Sequence, residues 1–312
     1  MPGSLVIVNP NASQVRAERT RRSLHGLLTD VLTKRDGAPP RIVETASQED
    51  TRPLVEAALA EGVAAVIGVG GDGTMRDIAA ELIGSDVPLG IIPAGTGNQV
   101  AAVLGIPLSP DAAATMLAAS AGRTVDLGEV TLRPSEGPAT TSNFILGCGS
   151  GFDARLMATT PGDLKQKIGK SAYVAQAIKL AMAIDVIPYR LTVDGETIET
   201  EASIALVGNM GQVIPGMLDL RLPIKPDDGL LDLIVVGARG PLHGMKGLVD
   251  QLSRTTLSGE PGSDSVRLRG HHIIIEAERP EPLEVDGDYV TDGSLEATII
   301  PAALRILVPA AP

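Results

Sequence analysis

The loop Gly70–Thr74, which reads GGDGT, has the clearest capacity for chemistry in the sequence. Glycines let backbone N–H groups face a phosphate without obstruction, and a following helix N-terminus adds a favourable dipole. Asp72 would repel a phosphate unless a divalent cation lay between them, so it favours Mg²⁺-dependent phosphoryl transfer over simple anion binding. The alternative is a tight strand–helix turn capped by Asp72. The loop lacks the lysine of a Walker motif and the spacing of a dinucleotide-binding GxGxxG motif.

A second glycine-rich loop, Pro93–Asn98, reads PAGTGN. Both loops follow apolar runs that predict buried strands, Val63–Val69 and Pro88–Ile92. The carboxyl ends of neighbouring parallel strands form the edge at which such sheets bind ligands. We therefore expect the two loops to converge on one phosphate-bearing ligand, and two plain turns are the less favoured interpretation.

Strands and helices alternate in the first part of the chain, which places these loops in an α/β domain. Apolar residues recur at helical spacing in Gln14–Arg35, Ser47 begins a capping box before the helix Thr51–Glu61, and Ser109-Pro110 opens a further helix. This order predicts an N-terminal three-layer α/β domain with a parallel sheet, spanning residues 1–124. Its first two strands are predicted at Ser4–Asn9 and Arg41–Thr45.

Strands dominate from Val125 onward and predict a second, mainly antiparallel, sandwich-like β domain over residues 125–300. Asp194-Gly195 is a strong hairpin signal, Arg133–Thr141 reads as a polar loop, and the final apolar run Leu304–Val308 could join either domain. The predicted strands are Asp126–Leu132, Asn143–Leu146, Tyr189–Val193, Thr197–Glu201, Ser203–Val207 and Leu231–Val236, and helical patterns cover Ser171–Ala183 and Pro241–Ser253.

The composition of the chain excludes several classes of partner and location. The 312 residues carry a net charge of −12, which argues against nucleic acid as a partner and against non-specific adhesion to anionic membranes. Cys148 is the only cysteine and is expected to be structural. The first residues lack a basic segment and a long apolar run, and no stretch is long enough to span a bilayer. We therefore expect a soluble, cytoplasmic protein.

The motifs together resemble those of the bacterial diacylglycerol kinases, members of a lipid-kinase superfamily that includes sphingosine and ceramide kinases. The matching segments are Asn9–Ala12, both glycine loops, Gly149–Ala154, Asp227–Asp232 and Glu284–Asp288. They occur in order over almost the whole chain, which makes the resemblance specific. The GGDGT loop alone would not separate lipid kinases from NAD kinases, which share it.

The resemblance implies an ATP- and Mg²⁺-dependent enzyme with its active site in a cleft between a nucleotide-binding domain and a lipid domain. It also implies that the last strand, within 301–312, returns to the first domain. ATP would be surrounded by Thr45, Gly71, Asp72, Gly73, Thr74 and Thr96, and we add Asn9, Gly70, Gly95, Gly97 and Asn98 to this candidate nucleotide site.

The later motifs supply the remaining candidate residues. By the resemblance, Asp228 would hold a structural Mg²⁺ together with the carbonyl groups of Lys225 and Leu230, and Asp288 would take the proton of the substrate hydroxyl, with Asp72 serving the metal–phosphate end. Read without the family, Asp227–Gly229 is a turn between strands. Two positions depart from the family pattern: Gln99 stands where the family usually has Asp, and Asp288 where it usually has Glu.

The expected activity is phosphorylation of a lipid hydroxyl, most simply that of diacylglycerol. The alternatives are a related kinase for a sphingoid base, a glycolipid or NAD, and a nucleotide- or lipid-binding protein that has lost catalysis, marked by Gln99 and Asp288.

The basic and apolar cluster Lys165–Lys179 is either a docking surface for lipid head groups or an amphipathic helix with a solvated face. We expect transient peripheral contact with the membrane, and a homodimer is one assembly open to the chain. The four histidines fit no metal spacing, and His271 and His272 would begin a strand with side chains on opposite faces.

Overall fold

A computed structural model of the chain describes residues 2–45, 47–151, 154, 186–211, 224–237 and 265–310. The chain divides into two compact units. The first comprises Met1–Leu127 and Pro301–Pro312, and the second comprises Gly128–Ile300.

The first unit is built on a parallel sheet with the strand order β2–β1–β3–β4. Every residue of β1, β3 and β4 is buried, as the continuous apolar runs predict. Ile306, near the chain end, pairs with Leu89 of β4. The four strands are β1 (Leu5–Val8), β2 (Arg41–Glu44), β3 (Val66–Gly70) and β4 (Leu89–Pro93).

Two groups of helices pack in this unit, α1 with α5 and α2 with α3. This confirms the predicted α/β fold with a parallel sheet. Ser47 caps α2 by accepting the N–H of Asp50 at 3.1 Å, as the capping box predicts. The helices are α1 (Glu18–Asp36), α2 (Gln48–Glu61), α3 (Asp72–Leu82), α4 (Gln99–Val103) and α5 (Pro110–Met116), followed by a 3₁₀ turn at Leu117–Ala119.

The start of α1 differs from the sequence prediction. The helix begins at Glu18 and not at Gln14. The backbone N–H of Gln14 donates to the carbonyl of Ala94 at 2.9 Å, and that of Val15 donates to Ala12 at 3.1 Å. A long-range hydrogen bond therefore holds this segment beside the second glycine loop, in competition with the helix that the local pattern favours.

The second unit is mainly antiparallel, as predicted. One run of neighbouring strands is β12–β11–β10–β7–β14, and a second is β9–β8–β13, with the segment Leu295–Thr298 of β15 beside β13. Strands β5 and β15 cross the boundary between the units, since the start of β5 and the end of β15 belong to the first. The strands are β5 (Ser120–Pro134), β6 (Thr140–Phe144), β7 (Gly147–Gly151), β8 (Ile187–Val193), β9 (Glu196–Ala202), β10 (Ile204–Gly208), β11 (Leu231–Val236), β12 (Ser265–Gly270), β13 (His272–Ala277), β14 (Glu281–Val285) and β15 (Asp288–Pro309).

Aliphatic side chains fill the core of this unit, with Phe144 and Tyr189 among its largest members. Cys148 is fully buried in the same cluster, in agreement with the structural role predicted for it. His271 lies between β12 and β13, and β13 begins at His272, so only the second histidine is in the strand that the sequence predicted for both. Their side chains contact different partners, Asp194 and Glu296 respectively.

Strand β7 is one of the elements that the sequence pattern missed, together with β12, β14 and most of β15. The prediction ended a strand at Leu146, whereas β6 ends at Phe144 and the glycine-rich β7 begins at Gly147. A Cβ atom at Gly147 would stand 2.4 Å from the carbonyl oxygen of Val207 in β10. The glycine is needed because the two backbones approach closely, although glycine is otherwise unfavourable in strands. The predicted loop Arg133–Thr141 is also shorter than expected, since β5 and β6 extend into it.

Two Asp-Gly hairpins occur in the part of this unit that the structure describes. Asp194-Gly195 joins β8 to β9, as predicted, and Asp286-Gly287 joins β14 to β15. Both aspartates have positive φ, 49° and 50° respectively, which is the conformation required of the first residue in a type I′ turn.

Several predictions lie outside the described residues: the helices Ser171–Ala183 and Pro241–Ser253, the cluster Lys165–Lys179, and Phe152 and Asp153 of the Gly149–Ala154 motif. Within the described part of the chain, the helices lack the combination of length and apolar character that crossing a bilayer requires.

Candidate active site

The candidate nucleotide residues lie at one edge of the parallel sheet. Asn9 follows β1, Thr45 follows β2, and the two glycine loops follow β3 and β4. Since these four strands are parallel neighbours, their carboxyl ends share an edge. The location agrees with the general rule for ligand sites in open α/β sheets.

The two glycine loops contact each other through their backbones. The N–H of Ala94 donates to the carbonyl of Gly70 at 2.7 Å, and a Cβ atom at Gly95 would stand 2.6 Å from the Cα of Gly71. A Cβ atom at Gly70 would stand 2.4 Å from Oγ1 of Thr74. These glycines are therefore required by the packing of the two loops, whatever ligand the loops bind.

Asp72 links the loops through its side chain. It is the first residue of α3, whose N-cap is Gly71, and its Oδ1 accepts the backbone N–H of Val100 in α4 at 3.0 Å. Its second carboxylate oxygen lies beside Gly97, where an added Cβ atom would stand 3.1 Å away. Asp72 is therefore not the helix cap that the alternative interpretation expected, since α3 has no side-chain cap and the Asp72 carboxylate instead spans both loops and holds the start of α4.

Asn98 shapes the second loop. It is buried and has φ of 55°, a left-handed conformation that asparagine tolerates better than most residues. Its Oδ1 accepts the N–H of Gly95 and its Nδ2 donates to the carbonyl of Gly95, both at 2.9 Å. The loop is closed on itself, and Thr96 and Gly97 are left exposed at its tip.

Asn9 connects the first motif to the first loop. Its Nδ2 donates to Oγ1 of Thr74 at 3.3 Å, and its Oδ1 accepts the N–H of Asn11 at 3.0 Å. Sequence reasoning missed two further contributors, since Ser13 and Gln14 donate side-chain hydrogen bonds to Ala94 and Gly95 at 3.3 and 3.2 Å. Their position directly after the Asn9–Ala12 motif was the available signal.

Thr45 has a different setting from the other candidates. Its hydroxyl contacts the carbonyl of Ser47 at 3.4 Å and Oδ2 of Asp50 at 3.3 Å, at the start of α2. The structure therefore brings Asn9 and the two loops into contact, whereas Thr45 lies at the same sheet edge with its hydroxyl bonded to α2. A role for Thr45 at the nucleotide stays a prediction.

The turn that precedes β11 carries the predicted structural metal ligands, Lys225, Asp228 and Leu230. Asp228 accepts the N–H of Leu230 at 3.3 Å through Oδ1, and its Oδ2 forms an ion pair with Arg269. Arg269 also contacts the fully buried Asp232, at 3.3 Å. In this arrangement the Asp228 carboxylate is paired with an arginine, and its role at a structural Mg²⁺ stays a prediction.

Asp288 lies in the second unit as the first residue of β15 and is exposed. The next residue, Tyr289, donates its hydroxyl to Asp292 at 3.2 Å. Burial, followed by the charge of Asp292, raises the pKa of the Tyr289 phenol above its ordinary value. Tyr289 therefore keeps its proton near neutral pH and is not a candidate for the base.

A parallel α/β unit with two touching glycine loops at its strand ends, one carrying an aspartate, defines a nucleotide-using phosphotransferase, that is, a kinase. The chain belongs to the YegS-like lipid kinases: residues 3–130 match the diacylglycerol kinase catalytic domain, and residues 147–308 match the YegS C-terminal NAD kinase beta sandwich-like domain. The family recognised from the motifs is confirmed, and so are the kinase class and the α/β plus β-sandwich-like architecture.

Three relatives illustrate the similarity. A protein of Pseudomonas aeruginosa named "Probable lipid kinase YegS-like" is 33% identical over 84% of this chain and 82% of its own length. An uncharacterized protein of Synechocystis sp. is 29% identical over 80% of this chain, which spans about half (56%) of that relative. The crystal structure of a diacylglycerol kinase from Bacillus anthracis str. Sterne superposes with a TM-score of 0.71 at 21% identity, covering 99% of this chain and 97% of its own, and it supports the fold.

Proposed function

We propose that the protein transfers the γ-phosphate of ATP to the free hydroxyl of diacylglycerol, with Mg²⁺, to give phosphatidic acid. The hydroxyl oxygen forms a bond to the γ-phosphorus, the bond to the bridging oxygen of ADP breaks, and the hydroxyl proton passes to a base on the protein. The observation that supports this most directly is the contact of the two glycine loops through Asp72.

The two glycine loops suit the phosphate groups of a nucleoside triphosphate. The N-terminus of α3 begins inside the first loop, which adds the helix dipole to the backbone amide groups. Thr96 and Gly97 are exposed at the tip of the second loop and are open to a ligand. The contacts between the glycines already hold the loop backbone in place. Binding of the phosphates would therefore cost little conformational entropy in the loops.

The donor set around Asp72 fits Mg²⁺. One carboxylate oxygen accepts the N–H of Val100, and the other lies beside Gly97 of the second loop. Magnesium in phosphoryl-transfer sites is commonly held by one or two carboxylates together with phosphates and water. When bound, Mg²⁺ would neutralise charge on the phosphates, and Asp72 would orient it.

Asp288 is proposed as the base that accepts the hydroxyl proton. Its carboxylate is exposed, while its neighbour Tyr289 keeps its proton. The side chain is one methylene shorter than the glutamate usual in the family, so the hydroxyl must come about 1 Å closer for the same transfer. This makes the backbone position of Asp288 important to the rate.

The test is transfer of label from γ-phosphate-labelled ATP to a panel of acceptors: diacylglycerol in mixed micelles, sphingosine, a glycolipid and NAD. Labelled phosphatidic acid that depends on Mg²⁺ is the expected product. Label on another acceptor would replace the proposed substrate, and ATP binding without any product over a full range of Mg²⁺ would identify a protein that has lost catalysis. The shift in melting temperature that ATP causes should also be measured with Mg²⁺ and again with EDTA in its place. The difference between the two shifts reports on metal-assisted nucleotide binding independently of turnover.

A further inference from the structure

The hairpin Asp286-Gly287 is held by an unusual number of hydrogen bonds. The carboxylate of Asp286 accepts three consecutive backbone N–H groups, from Ile145 at 3.1 Å, Leu146 at 2.8 Å and Gly147 at 3.1 Å. Its own N–H donates to the carbonyl of Gly147 at 2.8 Å. Hydrogen bonds from several amide groups to a charged carboxylate are stronger than neutral ones.

The segment that Asp286 binds is fixed from its other side. Asn209, which is fully buried, donates its Nδ2 to the carbonyl of Ile145 and its N–H to the carbonyl of Leu146, both at 2.8 Å. β7 then continues into the sheet between β10 and β14. Asp286 is therefore anchored to a rigid, buried part of the second unit.

Glu284 holds the same turn from within β14. The residue is 4% exposed, and its Oε2 accepts the N–H of Gly287 at 2.7 Å. The three acidic residues of the motif thus differ in their surroundings. Glu284 and Asp286 bind backbone N–H groups, and Asp288, which follows the turn directly, is exposed.

We propose that Asp286 is a positioning residue for the transfer reaction, in that its clamp on residues 145–147 fixes where Asp288 presents its carboxylate. This rests on the proposed function of Asp288 as the base. Asp288 is shorter than the glutamate that the family usually has at position 288. Its side chain therefore has less reach to compensate for a displaced backbone. A displacement of about 1 Å at a reacting group can lower a rate about 100-fold.

The critical variant is Asp286→Gly, because glycine adopts positive φ without strain and the change removes the carboxylate alone. We expect kcat to fall about 100-fold, while KM for ATP stays within about threefold. Asp286→Asn keeps an oxygen acceptor and tolerates the same φ, so it should recover a substantial part of the lost kcat.

The matched control is Asp194→Gly in the other Asp-Gly hairpin. Asp194 has nearly the same φ and accepts two backbone N–H groups, from His271 and His272, both at 2.9 Å. This variant should lower the melting temperature and leave kcat unchanged. An unchanged kcat in Asp286→Gly would overturn the proposal, and so would an equal loss of kcat in Asp194→Gly, since the effect would then be a general loss of stability.

Hydrogen exchange separates failure of this inference from failure of the proposed function. In Asp286→Gly, peptides covering residues 144–148 and 285–290 should exchange faster than in the wild type, whereas Asp194→Gly should affect peptides around 190–197 and 270–273. If the wild type phosphorylates no acceptor, the proposed function is refuted. In that case the clamp is judged by hydrogen exchange alone. Unchanged exchange at residues 285–290 in Asp286→Gly would show that Asp286 does not hold the turn, and faster exchange would show that it does.

Discussion

Asp72 and Asp286 both join two segments of the chain, but they do so with different numbers of hydrogen bonds. Among the described residues, Asp72 accepts a single backbone N–H, that of Val100, and its other oxygen lies beside Gly97 of the second glycine loop. Asp286 accepts three backbone N–H groups and donates one of its own. A carboxylate with one amide partner can still bind a cation, whereas one with three is committed to structure. Under the proposed function, the similar motifs GDG and DGD would therefore serve chemistry in the first unit and positioning in the second.

The largest effect on the rate of phosphoryl transfer is expected from a change at Asp288, the proposed base that follows the Asp286 turn. Asp288→Asn removes the proposed base and should lower phosphoryl transfer by a factor of about 10² to 10⁴, with ATP affinity within a few-fold of the wild type. Single-turnover transfer and a separate ATP-binding titration measure the two quantities. Activity that survives the substitution would show that Asp288 is not the base.

Asp72→Asn tests whether Asp72 acts through its charge. The amide oxygen can still accept the N–H of Val100, so the melting temperature without ligand should change little. Transfer should fall about 100-fold, because the proposed Mg²⁺ loses an anionic ligand, and the Mg²⁺ concentration for half-maximal rate should rise. A large loss of stability with normal Mg²⁺ dependence would mean that Asp72 is as structural as Asp286, and the contrast would fail.

Gly95→Ala tests the contact between the loops without touching a charge. The added methyl group would stand 2.6 Å from the Cα of Gly71, so the backbones must separate. We expect a loss of about 1–3 kcal/mol in the free energy of unfolding and weaker ATP binding. Gly26→Ala in α1 is the control, since nothing lies within 4 Å of its added Cβ and alanine favours a helix by roughly 0.5–1 kcal/mol.

Gln99→Asp restores the carboxylate that the family usually carries at the start of α4. If a second anionic group near Asp72 improves metal binding, turnover should rise a few-fold, which corresponds to roughly 0.5–1 kcal/mol. Steady-state rates across a Mg²⁺ titration report this. An unchanged rate would indicate that the site works as well with an uncharged amide at this position.

The smallest expected effect concerns the control hairpin. The backbone N–H of His272 is the largest cause that lowers the pKa of Asp194 below its ordinary value of 3.8. A depressed carboxyl pKa stabilises the fold above the ordinary value, and that contribution is lost as the pH falls through the folded-state pKa. The stability difference between the wild type and Asp194→Asn should therefore be constant above about pH 5 and shrink as the pH falls below the ordinary value. A difference that does not shrink as the pH falls below the ordinary value would contradict this.

The sequence predicted the glycine loops and their shared sheet edge well, because each loop directly follows a run of buried β-branched residues. It also predicted the hairpin at Asp194-Gly195 and the cap at Ser47, which are local signals. It could not predict the clamp at Asp286, whose partners Ile145–Gly147 lie about 140 residues earlier in the chain. Nor did it predict β7, because glycine disfavours strands unless a neighbouring backbone requires it, as Val207 does here.

Cys148 provides a built-in reporter for the second unit. It is the only cysteine of the chain, and it is buried beside Val285, with which it pairs directly before the Asp286 turn. A thiol reagent can reach it only when this part of the core opens, so the rate of modification measures the free energy of that opening. Since the chain has no tryptophan, this thiol offers a direct way to follow opening near the turn without introducing a label.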